Sequence, residues 1–308
     1  MGRFINKKTI DNSVILSWGF KKYIKLKHVL ISDKKYMEKA YRNNHYRKLD
    51  WINPQSFQEK LQWLKLNHRI NIQTKCADKI EVRGYVKEKI GEEYLIPQLL
   101  VLESHKDLVS NKLPTVPFII KCNHNSAGYT IVMDKQKINW KKEQLKFKNL
   151  LSQNYYYQSR EWQYKNIKPK IIIEKLLLDE NNEIPLDYKF YCYNGEPKNI
   201  HVSIKRNGVH YVVFYDLDWK IIPLKYNDYS NEIPFSIERP KHLDKMKELA
   251  EILSRDFPFA RIDFYHNQNI IYFGEITFHP GSGLLNYAPK EYNKLMGDWI
   301  NIDNLTIK

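Results

Sequence analysis

The stretch Arg261-Ile262-Asp263-Phe264-Tyr265, followed after the polar turn His266-Asn267-Gln268-Asn269 by Ile270-Ile271-Tyr272-Phe273-Gly274-Glu275-Ile276-Thr277-Phe278, constrains the fold more than any other part of this chain. Two alternating runs flanking a short polar turn specify a β-hairpin. Side chains two apart share a strand face, so Arg261 lies beside Asp263 and Glu275 beside Thr277. With the turn centred near Gln268, all four groups fall on one face. Asp263 and Glu275 then stand on the diagonal, about 7–8 Å apart at the backbone. The runs Ile270–Phe273 and Phe257-Pro258-Phe259-Ala260 embed both strands in a core, and a carboxylate in such company needs a partner. Two carboxylates converging with an arginine and a hydroxyl suit Mg2+ carrying substrate phosphates, because that ion takes one or two protein carboxylates and leaves its other positions to water and phosphate. The competing reading is a solvated hairpin whose polar face meets water.

At 308 residues the chain has room for two domains, or for one domain with an extension. Its 43% hydrophobic and 28% charged residues suit a globular protein with a substantial core. Cys76, Cys122 and Cys192 are widely spaced, which argues against a disulfide framework or structural zinc and fits a reducing cytosol. No apolar run approaches the ~18 residues of a membrane span. Val14-Ile15-Leu16 is too short for a signal peptide, and Asn6 stands where N-myristoylation needs Ser or Thr. The expected location is therefore cytoplasmic.

The net charge of +15 is compatible with nucleic acid, an anionic membrane or a phosphorylated substrate. No nucleic-acid-binding module is recognisable, so no nucleic acid partner is expected. Lys21, Lys22, Lys25 and Lys27 interleave with Trp18, Phe20, Tyr23, Ile24 and Leu26. That pattern reads either as an interfacial helix on the inner face of an anionic membrane or as an ordinary helix with snorkelling lysines.

Residues 1–110 read as mainly helical, with apolar residues at helical spacing over 13–30, 33–48 and 56–67. Ser56 or Asn53-Pro54 starts the third of these, and Asp78 is an N-cap for another helix. From about 115 the texture becomes short strands: Val116–Cys122, Tyr129–Met133, Lys170–Leu176, Asp187–Tyr193, Asn199–Lys205 and Val209–Asp216. Turns fall at Asn194-Gly195 and Asn207-Gly208, and a helix over 240–254 precedes the hairpin. Strands with intercalated helices indicate an α+β or α/β architecture.

Three further places carry candidate chemistry. Lys121 leaves a strand into the small-residue loop Asn123-His124-Asn125-Ser126-Ala127-Gly128, where an ammonium and loop amides can hold a phosphate; a plain hairpin turn is the alternative. Glu174 interrupts the apolar strand Ile171-Ile172-Ile173, and its partner is either an adenine amino group or a nearby lysine. Asp187 and Lys189 share a face that meets ribose and phosphate, or else forms an exposed ion pair. There is neither a P-loop nor a G-x-G-x-x-G, and no nucleophilic triad spacing supports a hydrolase.

Taken in order, Asp78-Lys79, the strand ending in Lys121 with its small loop, Ile171-Ile172-Ile173-Glu174, Arg261-x-Asp263, and Glu275-x-Thr277 with Pro280-Gly281 resemble the linear layout of an ATP-grasp enzyme. Asn53–Leu64, Cys76-Ala77-Asp78-Lys79 and Asp187–Gly195 resemble the TupA-like branch found with bacterial surface-polysaccharide and teichuronopeptide loci, over residues 50–300. The resemblance implies an α+β ATP-grasp fold: a helical region over 1–110, a first subdomain with a phosphate-covering loop over 111–185, and a second with the metal site over 186–308. It implies ATP and Mg2+ as cofactors, with Lys121 on the phosphates, the 123–128 loop with Ser126 and Gly128 folded over them, and Lys79 and Lys189 as further nucleotide contacts. Glu174 with the backbone of Lys175 and Leu176 would meet adenine, and Asp187 the ribose. Asp263, Glu275 and Thr277 would be the metal set, Thr277 standing where most of these enzymes have Asn. Arg261 would stabilise the transferring phosphoryl group together with Lys121.

The activity so implied is an ATP-dependent carboxylate–amine ligation through an acyl phosphate, joining an amino acid or small amine to a uronic acid of a surface glycan or its precursor. Arg206, Gly281, Ser282 and Gly283 are the candidates for the acceptor side. Two other classes fit parts of the pattern: a sugar-nucleotide glycosyltransferase, and a non-catalytic basic scaffold for membrane or nucleic acid.

Overall fold

The structure, a computed structural model, describes residues 30–126, 128–206, 209–226, 233–303 and 305. The lysine cluster at 21–27, nearly all of the 13–30 segment and the Asn207-Gly208 turn lie outside these residues. The chain forms two compact units, residues 1–48 and 49–308. In the first, Ser32 caps the helix Asp33–His45 through its hydroxyl, and Met37 and Tyr41 supply its buried stripe. The helix stops short of the expected residue 48 because Tyr46 takes a left-handed conformation, φ 54°.

The second unit opens with the helix Phe57–Asn67. Ser56 and Glu59 form a reciprocal cap at its start, as the S-x-x-E spacing requires. Phe57, Leu61 and Leu64 share the buried face. Helices Asn71–Ala77 and Val82–Lys89 follow. Asp78 is not the immediate cap of the latter. Its carboxylate instead accepts the Ile80 and Glu81 amides one turn earlier.

Four strands then build a small antiparallel sheet: β1 (Gln98–Leu102), β2 (Phe118–Cys122), β3 (Tyr129–Val132) and β4 (Ile171–Lys175), in the order β1-β4-β2-β3. The helix Trp140–Leu151 packs on it over a core that includes Phe118, Ile120, Phe147 and Ile173. Strand β1 falls inside the region expected to be mainly helical. It pairs antiparallel with β4, so its place is with the small sheet.

The larger sheet comprises β5 (Asp187–Tyr193), β6 (Glu196–Arg206), β7 (Val209–Tyr215), β8 (Ile221–Ile222), β10 (Phe259–Asn267) and β11 (Ile270–Thr277), in the order β11-β10-β5-β6-β7-β8. A short ribbon of β9 (Lys225–Tyr226) and β12 (Tyr287–Ala288) lies apart from it. Ala260, Ile262 and Phe264 of β10 face a core shared with the helix Leu243–Ser254. Arg261, Asp263 and Tyr265 alternate onto the opposite face. A one-residue slip would drive those polar groups into the core, so the register of β10 is strongly specified.

Candidate active site

Strand β11 cannot keep a strict alternation. Ile271 and Phe273 are buried in the same core as Ile276 and Phe278, yet the two pairs are out of phase by one residue. An extra residue must be accommodated between them, and the ladder shifts there: Phe264 pairs with Phe273, but Asp263 pairs with Glu275. This β-bulge leaves Gly274 without an opposite number. A side chain there would bring a Cβ within 3.1 Å of the Asp263 carbonyl and 3.3 Å of the Tyr265 ring. The close approach leaves no room for a branched side chain without a shift of the neighbours.

The bulge corrects the expected geometry. Asp263 and Glu275 are direct cross-strand partners rather than diagonal neighbours, which brings their Cβ atoms to about 4.5–5.5 Å. The turn is centred between Gln268 and Asn269, both at positive φ, and the bulge restores the shared face. Arg261, opposite Thr277, completes the group.

Arg261 grips Asp263 with two hydrogen bonds, Nε to Oδ1 at 2.7 Å and Nη2 to Oδ2 at 2.6 Å. Nη2 also reaches Glu275 Oε1 at 3.3 Å and Thr277 Oγ1 at 3.0 Å. The Thr277 hydroxyl donates to Glu275 Oε1 at 2.7 Å. From β5, Lys189 donates to Asp263 Oδ2 at 2.9 Å and to Asp187. The enclosing cavity walls oppose ionisation of Glu275, although its side chain stays 39% exposed, but Lys79 and Arg261, with the Thr277 hydroxyl and Lys189, hold its carboxyl down at about 2. Burial raises Asp187 to about 6 despite Lys189, and the Asp263 charge adds to the rise.

These groups open into a cavity of about 300 Å³ between the small sheet and the larger one. From the small sheet come Lys121 and the apolar Ile119 and Ile131; Ile96, Leu176, Leu177 and Ile184 extend the apolar wall. Asn125, Ser126 and Gly128 line it from the loop, and Lys175, Asp187, Lys189, Arg261, Asp263 and Glu275 from the far sides. The loop is anchored at its root. Asn123 donates to Asp78 Oδ2 at 2.9 Å and accepts the Lys170 amide at 2.7 Å. Lys79 Nζ donates to the Asn125 carbonyl at 2.6 Å. Gly128, at φ +88°, lies so close to Leu150 that a Cβ would come within 2.6 Å of it.

The residues expected around the nucleotide and the metal fall in different places, with Lys175 and Leu176 on the cavity wall. Glu174 does not line this cavity: its carboxylate accepts from Lys121 Nζ at 2.8 Å and lies 3.6 Å from Arg83 Nη1. Of the two partners the sequence allowed, the lysine is realised. The amides of Lys175 and Leu176 donate to Pro97 and Pro117, so only their carbonyls and side chains remain for a ligand. Thr277 is not on the cavity wall, and its hydroxyl is spent on orienting Glu275.

The turn at Pro280–Gly283 is likewise off the wall. Gln62 and Lys65 hold it by the Ser282 carbonyl, and Ser282 Oγ donates to Glu161 Oε1 at 2.7 Å. Arg206 closes β6, and its side chain lies outside the described residues. Tyr265, Gly274 and the apolar wall of Ile96, Ile119, Ile131, Leu177 and Ile184 join the site beyond the residues the sequence singles out. Tyr265 was legible as the next residue on the Arg261–Asp263 face, and Gly274 from the broken alternation.

The cavity suits a nucleotide with a divalent ion. Its volume is at the lower end of the range for small-molecule sites. An apolar pouch adjoins the cationic side chains of Lys79, Lys121, Lys189 and Arg261. Asp187 Oδ1 is buried with no hydrogen-bond partner among the described residues, as an acceptor awaiting a hydroxyl would be. Among the described residues no three His, Cys, Asp or Glu side chains gather as a metal cluster.

Two sheets closing on such a cavity form the ATP-grasp fold. A family model for TupA-like ATP-grasp proteins matches residues 59–301, and the chain belongs to that family. The resemblance seen in the motifs is thereby borne out. Among solved structures the chain is similar to D-alanine–D-alanine ligase from Helicobacter pylori, at 14% identity over 82% of this chain and 68% of that one, TM-score 0.43. It is also similar to the Bacillus anthracis D-alanine–D-alanine ligase, at 18% over 73% and 66%, TM-score 0.43. A third is the L-amino acid ligase from Bacillus licheniformis, at 12% over 82% and 57%, TM-score 0.45. The chain spans about two thirds or less of the length of these enzymes. A search of curated proteins finds no match.

Proposed function

We propose that the chain is an ATP-dependent carboxylate–amine ligase. The observation that carries this reading is the bulge-aligned pair Asp263–Glu275 in one cavity with Lys79, Lys121, Lys189 and Arg261, beside an apolar pouch. Lys79 and Lys121 would hold phosphate oxygens, with the 123–128 loop excluding water from above. Asp187 would take a ribose hydroxyl. Asp263 and Glu275 would hold Mg2+, which when bound supplies neutralising charge and polarises the phosphates.

A substrate carboxylate oxygen bonds to the γ-phosphorus as the bond to the ADP oxygen breaks. An amine nitrogen then attacks the acyl carbon, phosphate leaves, and the surplus proton passes to solvent. Arg261 meets the negative charge that collects on the transferred group. The family resemblance supports a uronic acid of a surface glycan as the acid, with an amino acid or small amine as the second substrate. It equally motivates peripheral contact with an anionic membrane through the basic cluster at 21–27. Among the described residues no helix is long and apolar enough to cross a membrane.

The test is ADP and phosphate release on adding ATP, Mg2+, a uronic acid and a panel of amines. A nucleotide site should raise the melting temperature at saturating ATP. Glu275→Gln should abolish turnover with the fold retained. Near-normal ADP release in that variant, or no thermal shift with ATP, removes this assignment.

A further inference from the structure

The hairpin that would receive a divalent ion already holds cations of its own. Every oxygen of Asp263 is engaged: Oδ1 by Arg261 Nε, and Oδ2 by both Arg261 Nη2 and Lys189 Nζ. Its side chain is only 5% exposed, whereas that of Glu275, on the cavity wall, is 39% exposed. Glu275 Oε1 accepts from Thr277 and Arg261, so the metal-ready surface of the pair is confined to one carboxylate.

The charges already lean positive at this site. Asp187, Asp263 and Glu275 face Lys79, Lys189 and Arg261, while Glu174 is shared by Lys121 and Arg83. A bare divalent ion would add two positive charges beside a guanidinium and an ammonium that already occupy its ligand. A polyphosphate reverses both terms. Its oxygens accept from arginine and lysine as well as a carboxylate does, and it brings the negative charge that a metal needs.

We propose that Arg261 and Lys189 plug the metal site, so that the divalent ion enters only together with a polyphosphate, whose oxygens draw the two cations off Asp263. This rests on the phosphate-binding reading of the cavity and is independent of which acid and amine are joined. Asp263 is thus a gated ligand, and Arg261 and Lys189 exchange one anionic partner for another as the site loads.

The experiment is Mn2+ binding to the full chain, followed by water-proton relaxation, with and without inorganic tripolyphosphate. The expected result is at least tenfold weaker binding of Mn2+ alone than with tripolyphosphate. Lys189→Met and Arg261→Gln, each checked for cooperative melting, should narrow that gap by tightening the bare ion at least severalfold. Equal binding of Mn2+ with and without tripolyphosphate in the unaltered chain overturns the inference even if neither variant folds. So do folded variants that bind the bare ion no better. Tripolyphosphate that raises the melting temperature without helping Mn2+ sinks this inference alone, whereas tripolyphosphate and ATP that both fail to bind sink the ligase reading with it.

Discussion

Replacing Gly274 by valine tests whether the bulge, rather than the choice of side chains, assembles the site. An added Cβ already falls 3.1 Å from the Asp263 carbonyl and 3.3 Å from the Tyr265 ring, closer than most Cβ atoms tolerate. The two γ-carbons of valine press further on neighbours whose strand is fixed by Ile262 and Phe264 in the core. Overpacking of this kind costs about 1–3 kcal/mol. For a unit of this size each kcal/mol lowers the melting temperature by about 2–4 °C. The alternative is relief by expulsion of the bulge, which turns Glu275 toward the core face and is opposed by burial of Ile276 and Phe278. Either way Asp263 and Glu275 lose their alignment. Gly274→Val should therefore melt several degrees lower and lose the Mn2+–tripolyphosphate complex, while Gly274→Ala, whose clash a shift of a few tenths of an ångström can relieve, stays near wild type. A valine variant with unchanged melting and unchanged metal binding would show that the register does not depend on glycine.

Two other outcomes are expected. Glu174→Gln takes the charge from the carboxylate paired with Lys121 and Arg83, so it should lower stability and, by freeing Lys121 from its competing anion, tighten tripolyphosphate binding, while the preference for ATP over GTP, read by thermal shift, stays put. Burial holds the imidazoles of His124, His201, His266 and His279 below their ordinary value. The folded chain keeps them neutral, so the unfolded chain takes up more protons on acidification. Stability is full above the unfolded histidine value of about 6.5 and falls as pH drops below it. Glu275 adds a second loss at lower pH, since its folded value of about 2 lies below that of the unfolded chain. Urea midpoints across pH 8 to 3 check both windows, and a midpoint flat from pH 7 to 5 would contradict the first.

Much of the larger sheet was legible because its signals are local. Asp187–Tyr193 alternates cleanly and forms β5 with those bounds. The small sheet was read less evenly. Gln98–Leu102 is a leucine-rich run without alternation, and its identity as a strand depends on pairing with β4, which is remote in the chain, Leu102 opposite Ile171 and Gln98 opposite Glu174. The helices Trp140–Leu151 and Lys290–Asp298 escaped notice, the first because its lysines dilute the apolar stripe. Glu174 shows the same limit at the site. Sequence says that a buried carboxylate needs a partner, but only the adjacency of β2 and β4 decides that Lys121 supplies it. The bulge is the opposite case, since Ile271, Phe273, Ile276 and Phe278 announce a phase break that any correct fold must absorb.

The Gln268–Asn269 turn has a consequence for how the site comes into being. Both residues sit at positive φ without a glycine between them, a conformation that costs L-residues free energy and cannot by itself impose a register. What holds β10 and β11 in line is β5 on one side and the shared apolar layer beneath. An excised peptide spanning 257–281 would therefore not preserve the acidic pair, and during folding that pair should come into alignment only after β5 has docked.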